Sequence, residues 1–414
     1  MPAFQPVRGT HDLLPDEQRK HLHVIDTARQ VARGYGYAEM STPIFEFTEV
    51  FARSMGETSD VVSKEMYSFV DKGGENLTLR PEYTAGICRA FISNGLAQQA
   101  PFKVFAHGPM FRFERPQKGR QRQFHQIDVE VIGAPEPEAD IEVVTLAADI
   151  LERLGLLDKC VLEINSLGDL DSRLAYRRAL VEYLEGHRAH LSEDSLKRLE
   201  RNPLRILDSK DAGDREVIAG APPMEAFYTA AARDFFAAVR AGLDASGVAY
   251  QLSPRLVRGL DYYTHTAFEF VTTHLGAQGT LIGGGRYDGL IEMLGGQPTA
   301  GIGWAGGIER LAMLAANLPP PVRPVALIPI GPAAEARALD LARALRREGL
   351  VIELGFRGNV GRRMKRANRL NAIAAVILGD DELAKGVVAL RELDSGSQSE
   401  LPIERLAEKL RTLA

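Results

Sequence analysis

The chain has 414 residues, 45% hydrophobic and 25% charged, which excludes wholesale disorder and a fibrous protein and leaves room for two or three domains at about 150 residues each. Fifty basic residues against 55 acidic give a net charge of −5, so any nucleic-acid binding rests on a local patch and not on the mean. Two cysteines, Cys88 and Cys160, exclude a disulfide framework and a cysteine zinc site.

In chain order, the opening MPAFQPVRGTHDLLPDEQRK lacks the apolar region of a signal segment, and no run of about 18 apolar residues follows, so a soluble cytoplasmic protein is expected. A helix opens after Pro15, with Asp16 and Glu17 in its first turn, and stops near Gly34. From Tyr37 to Gly133 the signals are mostly strands with tight turns. Asp71-Lys-Gly-Gly74 is a hairpin candidate, and FKVFAHGPMFRFER and QFHQIDVEVIG alternate. Residues 138–154 read as an amphipathic helix, and about 171–247 as a charge-rich helical block. Strands return after Leu252, followed by a glycine-rich stretch and a helix from Ile308 to Leu318. Strands, a helical block and strands again predict an insertion within one antiparallel α+β domain.

Pro319-Pro320-Pro321 marks the clearest boundary, since three prolines must leave any helix. Beyond it come a strand (VALIPIG), an amphipathic helix, a strand (VIELGF), a basic helical segment, a strand (AIAAVILG), a hairpin-like stretch and a terminal helix. That order predicts a compact α/β domain over 323–414, behind a first domain over 1–320. Residues 322–414 carry a net +4, against −9 on residues 1–321.

No P-loop sequence occurs. Gly301-Ile-Gly-Trp-Ala-Gly306 fits G-x-G-x-x-G, but no strand is predicted before it, so a dinucleotide fold is not expected. Close packing before a helix and a nucleotide contact both stay open for it. The segment from Phe111 to Glu130 says more. Five basic residues lie between Arg112 and Arg122, and period two then puts Phe124, Gln126, Asp128 and Glu130 on one strand face, with Ile127, Val129 and Val131 on the other. Such a polar face is ordinarily a solvated sheet surface. Next to an arginine-rich loop it suits a nucleotide plus a zwitterionic substrate: arginines fork onto phosphates, and carboxylates hold an ammonium. Arg80, Glu82 and Thr84, and then Arg258, Asp261, Tyr262 and Tyr263, extend the pattern, although buried tyrosines are more often plain core. The run Arg357, Arg362, Arg363, Lys365, Arg366 and Arg369 has no acid from Gly355 to Leu370, which predicts phosphate contacts rather than a merely solvated helix face. No zinc-binding H-E-x-x-H occurs, and no metal-ligating residues are assigned.

RGTHDLLP, Thr42-Pro43, FRFERPQKGRQRQFHQ, RGLDYY, GGGRYDGL, GIGWAGGIERL and VILGDDELAKG, in this order, resemble a bacterial histidyl-tRNA synthetase, a class II aminoacyl-tRNA synthetase, over essentially the whole chain. The resemblance implies a class II antiparallel core with a helical insertion, an anticodon-binding domain after the prolines, and a homodimer built through the segment at Thr42-Pro43. It implies ATP with Mg²⁺, histidine and tRNA-His as partners, and no membrane. By position, Arg112 and Arg258 would be catalytic at the α-phosphate. Glu114, Arg120, Phe124 and Arg310 would join Arg112 in holding ATP. Glu82, Thr84, Gln126, Glu130, Tyr262, Tyr263 and Tyr287 would line the histidine pocket. Gln117, Lys118, Gln121 and Arg122, with Arg362, Arg363, Lys365 and Arg366, would face tRNA.

The implied reaction is attack of the histidine carboxylate on the α-phosphorus of ATP, then transfer of histidine to the tRNA's terminal adenosine. Phe113 and Gln121 stand where bacterial members commonly carry histidine and tyrosine, and Tyr83 where a small residue is usual. The first two lie in the loop facing the acceptor stem and the extra 5′ guanosine of tRNA-His, so the loop is expected to read a variant acceptor end. A non-catalytic relative, the regulatory subunit of ATP phosphoribosyltransferase, is the alternative. Such subunits usually lose Arg258-type residues and the anticodon domain, and this chain keeps both.

Overall fold

The structure, a computed structural model, describes residues 4–56, 61–257, 262–276 and 279–413, apart from the side chain of residue 208. It divides into two compact units, Met1–Leu318 and Pro319–Ala414.

The first unit is built on an eight-stranded sheet in the order Ala38–Glu39, Phe102–Phe111, Gln123–Ile132, Gly301–Gly307, Thr280–Arg286, Thr264–Val271, Val161–Ser166 and Gln251–Leu252. The two outermost pairings are parallel and the rest antiparallel. Alternation in the central strand, Gln123–Ile132, sorts the two faces. Ile127, Val129 and Val131 join Phe105, Phe268, Phe270 and Trp304 against the helices Pro15–Gly34 and Pro137–Arg153. The opposite face meets the helices Thr48–Met55 and Thr84–Ser93 through Phe51, Ile87, Val104, Ala106 and Met110.

Those last two helices fall where strands were expected. Thr84–Ser93 buries Thr84, Ala85, Gly86, Ile87, Cys88, Ala90 and Phe91. A helix enclosed on nearly every side has no polar stripe to reveal a 3.6-residue period. The hairpin at Asp71 forms as expected, joining Tyr67–Val70 to Asn76–Leu79, with Asp71 Oδ1 accepting from the Gly73 and Glu75 amides.

The helical block is not one body. Helices Leu170–Gly186, Glu193–Arg201 and Ala212–Ala219 share a core of Tyr176, Leu180, Leu184, Leu199, Ile206 and Ile218. Ala230–Ala245 instead sends Val239 and Leu243 into the main core. At the end of the interior strand Thr280–Arg286, Arg286 pairs with Asp140 of the helix Pro137–Arg153, both fully buried, and Arg286 also donates to the Ala134 and Glu136 carbonyls.

The second unit holds a five-stranded sheet in the order Ile352–Leu354, Val325–Ile330, Ala374–Gly379, Val387–Glu392 and Gln398–Pro402, with the helices Pro332–Arg347, Val360–Arg369 and Leu406–Arg411.

Candidate functional site

The strands beside the site carry mostly glycine and alanine where its side chains need room. Gln126, Asp128 and Glu130 face Gly307, Ala305 and Gly303 across one side of the central strand, and Gly108, Ala106 and Val104 across the other. A Cβ on Gly301 would meet the Tyr287 ring at 2.2 Å, and one on Gly285 the Tyr263 ring at 2.9 Å. The G-x-G-x-x-G stretch is therefore itself a strand, Gly301–Gly307. Its first glycines make space for pocket side chains, and its last, Gly307, lines the cavity.

That cavity measures about 340 Å³ and brings together Glu82, Thr84, Arg112, Glu114, Arg120, Gln121, Phe124, Gln126, Tyr262, Tyr263 and Arg310. Glu130 and Tyr287 lie behind it, almost wholly buried. Of the remaining sequence-predicted residues, Arg258 and Asp261 lie outside the described residues. Gln117 and Lys118 do not line the cavity. Arg122 turns its guanidinium onto the Phe113 ring at 3.9 Å and hydrogen-bonds the Glu114 and Arg8 carbonyls.

One end of the cavity is acidic and aromatic. Glu82 accepts from the Ala85 amide, which its place at the start of Thr84–Ser93 allows. Glu130 accepts from Thr84 Oγ1 at 2.6 Å and from the Tyr287 hydroxyl. Burial pushes the Glu130 carboxyl up to about 8, against the pull of those two donors and with help from Glu82. Burial likewise raises Glu82. The Tyr262 and Tyr263 rings stand 4.6 Å apart, and Tyr287 meets Tyr262 edge-on.

The other end is cationic. Arg112 anchors its Nε on the Pro81 carbonyl and lies 5.3 Å from the Phe124 ring centroid. Arg120 pairs with Glu114 at 2.7 Å. Arg310 donates to the Gly119 and Thr280 carbonyls, which fixes its plane beside the cavity, and burial lowers its pKa. Three guanidiniums converging beside an aromatic ring can hold a polyphosphate and stack a base.

Sequence reasoning missed the supports beneath this layer. Tyr83 is buried; its hydroxyl donates to the His107 carbonyl at 2.8 Å, and the Arg80 guanidinium covers its ring at 4.0 Å. Arg80 is itself tied to the Thr42 and Pro109 carbonyls. The bulk of Tyr83, unexplained by sequence, props the turn that carries Glu82. Glu309 accepts from both the backbone amide and Nδ1 of His125, tying the residue after Phe124 to the one before Arg310. With His21 these form the set whose ligand-type atoms lie within 4.8 Å of one another, but the hydrogen bonds already account for His125 and Glu309.

In the second unit the basic run divides. Arg362, Lys365 and Arg366 are exposed on Val360–Arg369. Arg363 is 9% exposed and donates to the Pro329 carbonyl and Glu335. Arg366 also pairs with Glu353 at 2.6 Å. The run is therefore partly compensated by acids far away in sequence, and Arg363 is spent on the fold rather than open to a phosphate.

Residues 9–311 match the family described as histidyl-tRNA synthetase, and residues 324–413 match the family described as anticodon binding domain. The chain is 61% identical to a histidine–tRNA ligase of Rhodospirillum rubrum, covering 99% of both chains. It is 56% identical to one of Gluconacetobacter diazotrophicus, covering 100% of both. In structure it resembles the apo histidyl-tRNA synthetase of S. aureus with a TM-score of 0.83 at 34% identity, covering 98% of this chain and 99% of that one.

Proposed function

The chain belongs to the histidyl-tRNA synthetase family, and we infer from that premise and from the cavity that it is a histidine–tRNA ligase, activating histidine with ATP and passing it to tRNA-His. The observation that carries this reading is the continuity of the site: an acid-and-tyrosine end and a three-arginine end share one cavity on one strand face.

Histidine sits at the acidic end. Glu82, Thr84 and Gln126 receive its ammonium, while Glu130 and the hydroxyls of Tyr262, Tyr263 and Tyr287 exchange hydrogen bonds with both ring nitrogens. A site built to pair a ring N–H rejects analogues lacking it by about 10⁴-fold or more. ATP lies toward Glu114, Arg120, Phe124 and Arg310, its adenine between Phe124 and the Arg310 plane. Arg112 lies at the α-phosphate, and the family resemblance assigns Arg258 the same task. The histidine carboxylate attacks the α-phosphorus in line, pyrophosphate leaves, and the arginines stabilise the charge growing on the phosphoryl oxygens. No side-chain base is needed, because the attacking carboxylate is already ionised.

Glu114 and Glu269 both line the cavity, and carboxylate oxygens beside phosphates are the donors that Mg²⁺ takes. These two would hold Mg²⁺, which would supply further neutralisation of the pyrophosphate.

A ribose hydroxyl of the terminal adenosine then takes the histidyl group. The loop bearing Gln117, Lys118, Gln121 and Arg122 faces the acceptor end, and exposed cations on Val360–Arg369 meet anticodon-side phosphates. Phe45, Phe47, Phe69 and Val70, all exposed on a three-stranded sheet, suit a second copy of the chain, hence a homodimer. No helix among the described residues is long and apolar enough to cross a membrane, and a cytoplasmic location fits a reaction on tRNA. The regulatory-subunit alternative leaves the three-arginine end without a task.

The deciding experiment is ATP–pyrophosphate exchange with each of the twenty amino acids and no tRNA. Exchange with histidine alone is expected; silence with all twenty would overturn the reading. Arg258→His should abolish exchange while sparing the fold.

A further inference from the structure

We propose that Phe356 is the platform on which an unpaired base of the tRNA's anticodon loop stacks, with Arg357 and the exposed cations of Val360–Arg369 holding the phosphates beside that base. The proposal deepens the reading of the second unit as a tRNA surface and rests on it.

Phe356 is 91% exposed, more than any other large apolar side chain among the described residues of the second unit. The pattern VIELGF puts it inside a strand, yet the strand ends at Leu354, and the ring stands beyond it in the turn into Val360–Arg369. Among the described residues no other ring and no cation faces it, in contrast to Phe113, which Arg122 and Tyr67 cover. A single exposed phenyl ring needs no partner by itself; its setting supplies the argument.

Arg357 adjoins it, and Arg362, Lys365 and Arg369 follow at helical spacing along one side of Val360–Arg369. All four are exposed, and none is in an ion pair among the described residues, whereas Arg366 pairs with Glu353 and Arg363 is buried. The ring's neighbours in the chain, Gly355, Arg357 and Gly358, offer no apolar patch for a protein partner to bury. An open π face beside phosphate-binding cations suits single-stranded RNA, whose loop bases are splayed out and free to stack.

The fold presents the ring where a ligand arrives. From Val325–Ile330 the chain runs out to one neighbouring strand, Ile352–Leu354, then crosses to the other, Ala374–Gly379, both pairings parallel. Open α/β sheets bind ligands outside the carboxyl ends of their strands where the order turns in this way, and Phe356 and Arg357 leave the sheet at that end. The Asn359 side chain accepts from the Arg362 amide and caps the helix, which fixes the turn carrying the ring.

Equilibrium binding of the full chain to tRNA-His transcripts tests this, using a set in which each unpaired base of the anticodon loop is removed in turn to leave an abasic site. Wild type is expected to lose about ten- to a hundredfold in affinity at one loop position. Phe356→Ala should lose as much on the intact transcript and nothing further at that position, because the stack is already gone. Phe356→Leu, which keeps apolar bulk without a π face, should behave the same way and decides if the alanine variant fails to fold. Phe356→Trp should retain wild-type affinity. Over a salt series Phe356→Ala should keep the wild-type slope, while Arg357→Ala lowers it by about one. Abasic sites that weaken wild type and Phe356→Ala equally at every position, or a Phe356→Ala affinity within about twofold of wild type, would overturn the stacking role. Equal wild-type affinity for the intact transcript and for an acceptor-stem minihelix would instead overturn the reading of the second unit as a tRNA surface.

Discussion

Gly303 lies across from Glu130 on the adjoining strand, and a Cβ built on it would stand 1.7 Å from Glu130 Oε2 and 2.4 Å from the Val129 carbonyl. The second contact is with backbone, so swinging the carboxylate aside does not make enough room. Gly303→Ala must push Glu130 off Thr84 and Tyr287. Histidine-dependent exchange should fall by roughly a hundredfold or more, at a stability cost of about 1–3 kcal/mol for overpacking. Exchange kinetics beside urea unfolding separate the two effects. Exchange within about threefold of wild type would mean the strand yields and Glu130 stays.

Glu130 also makes stability depend on pH in a predictable direction. Burial raises its carboxyl from 4.5 to about 8, so between those values the folded chain holds a proton that the unfolded chain has lost. Stability from this group is fully present below the lower value and declines as pH rises toward the upper one. Glu130→Gln removes the titration. Its melting temperature relative to wild type should therefore climb between about pH 5 and pH 8, even as histidine binding is lost. A gap that stays constant over that range would sink the assignment.

Much of this was legible in the sequence, for a physical reason. Alternation in the central strand separates Gln126, Asp128 and Glu130 from Ile127, Val129 and Val131, and a strand between two packed faces has no other way to sort them. The same alternation could not tell a solvated face from a buried one. That depends on Tyr83, Tyr262 and Tyr287, which come from elsewhere in the chain and close over it. The glycine strand at 301–307 hid its nature because its residues serve their neighbours' side chains. The helix Thr84–Ser93 hid because burial all round erases amphipathic period. Arg363 read as a free charge because its partners, Glu335 and Pro329, are distant in sequence.

The division of the basic helix predicts divergent outcomes for adjacent arginines. Arg362→Glu with Lys365→Glu should weaken tRNA charging, leave tRNA-independent exchange at its wild-type rate, and flatten the salt dependence of tRNA binding by about one unit of slope per lost phosphate contact. Arg363→Ala should instead destabilise the second unit by about 1–3 kcal/mol, since it strips hydrogen bonds from Pro329 and Glu335. Filter binding over a salt series and thermal unfolding distinguish the two. A salt slope unmoved by the double reversal would remove this helix from the tRNA surface.

Phe113 and Gln121 set the last expectation. Phe113 is 52% exposed, capped on one face by the Arg122 guanidinium and met edge-on by Tyr67. A phenyl ring held this way offers a stacking surface and a nearby cation, whereas a histidine there would offer ring N–H and N groups that read a base edge. Gln121, which lines the cavity, removes the second aromatic. A loop so built should charge transcripts with and without the extra 5′ guanosine at efficiencies within about tenfold of each other, because stacking tolerates any terminal base. Phe113→His combined with Gln121→Tyr should shift preference toward the guanosine-bearing transcript by roughly tenfold, or about 1.4 kcal/mol. Comparing kcat/KM for the two transcripts tests both statements. A wild-type requirement for the guanosine above about a hundredfold would mean that recognition lies outside these two side chains, with their replacement neutral.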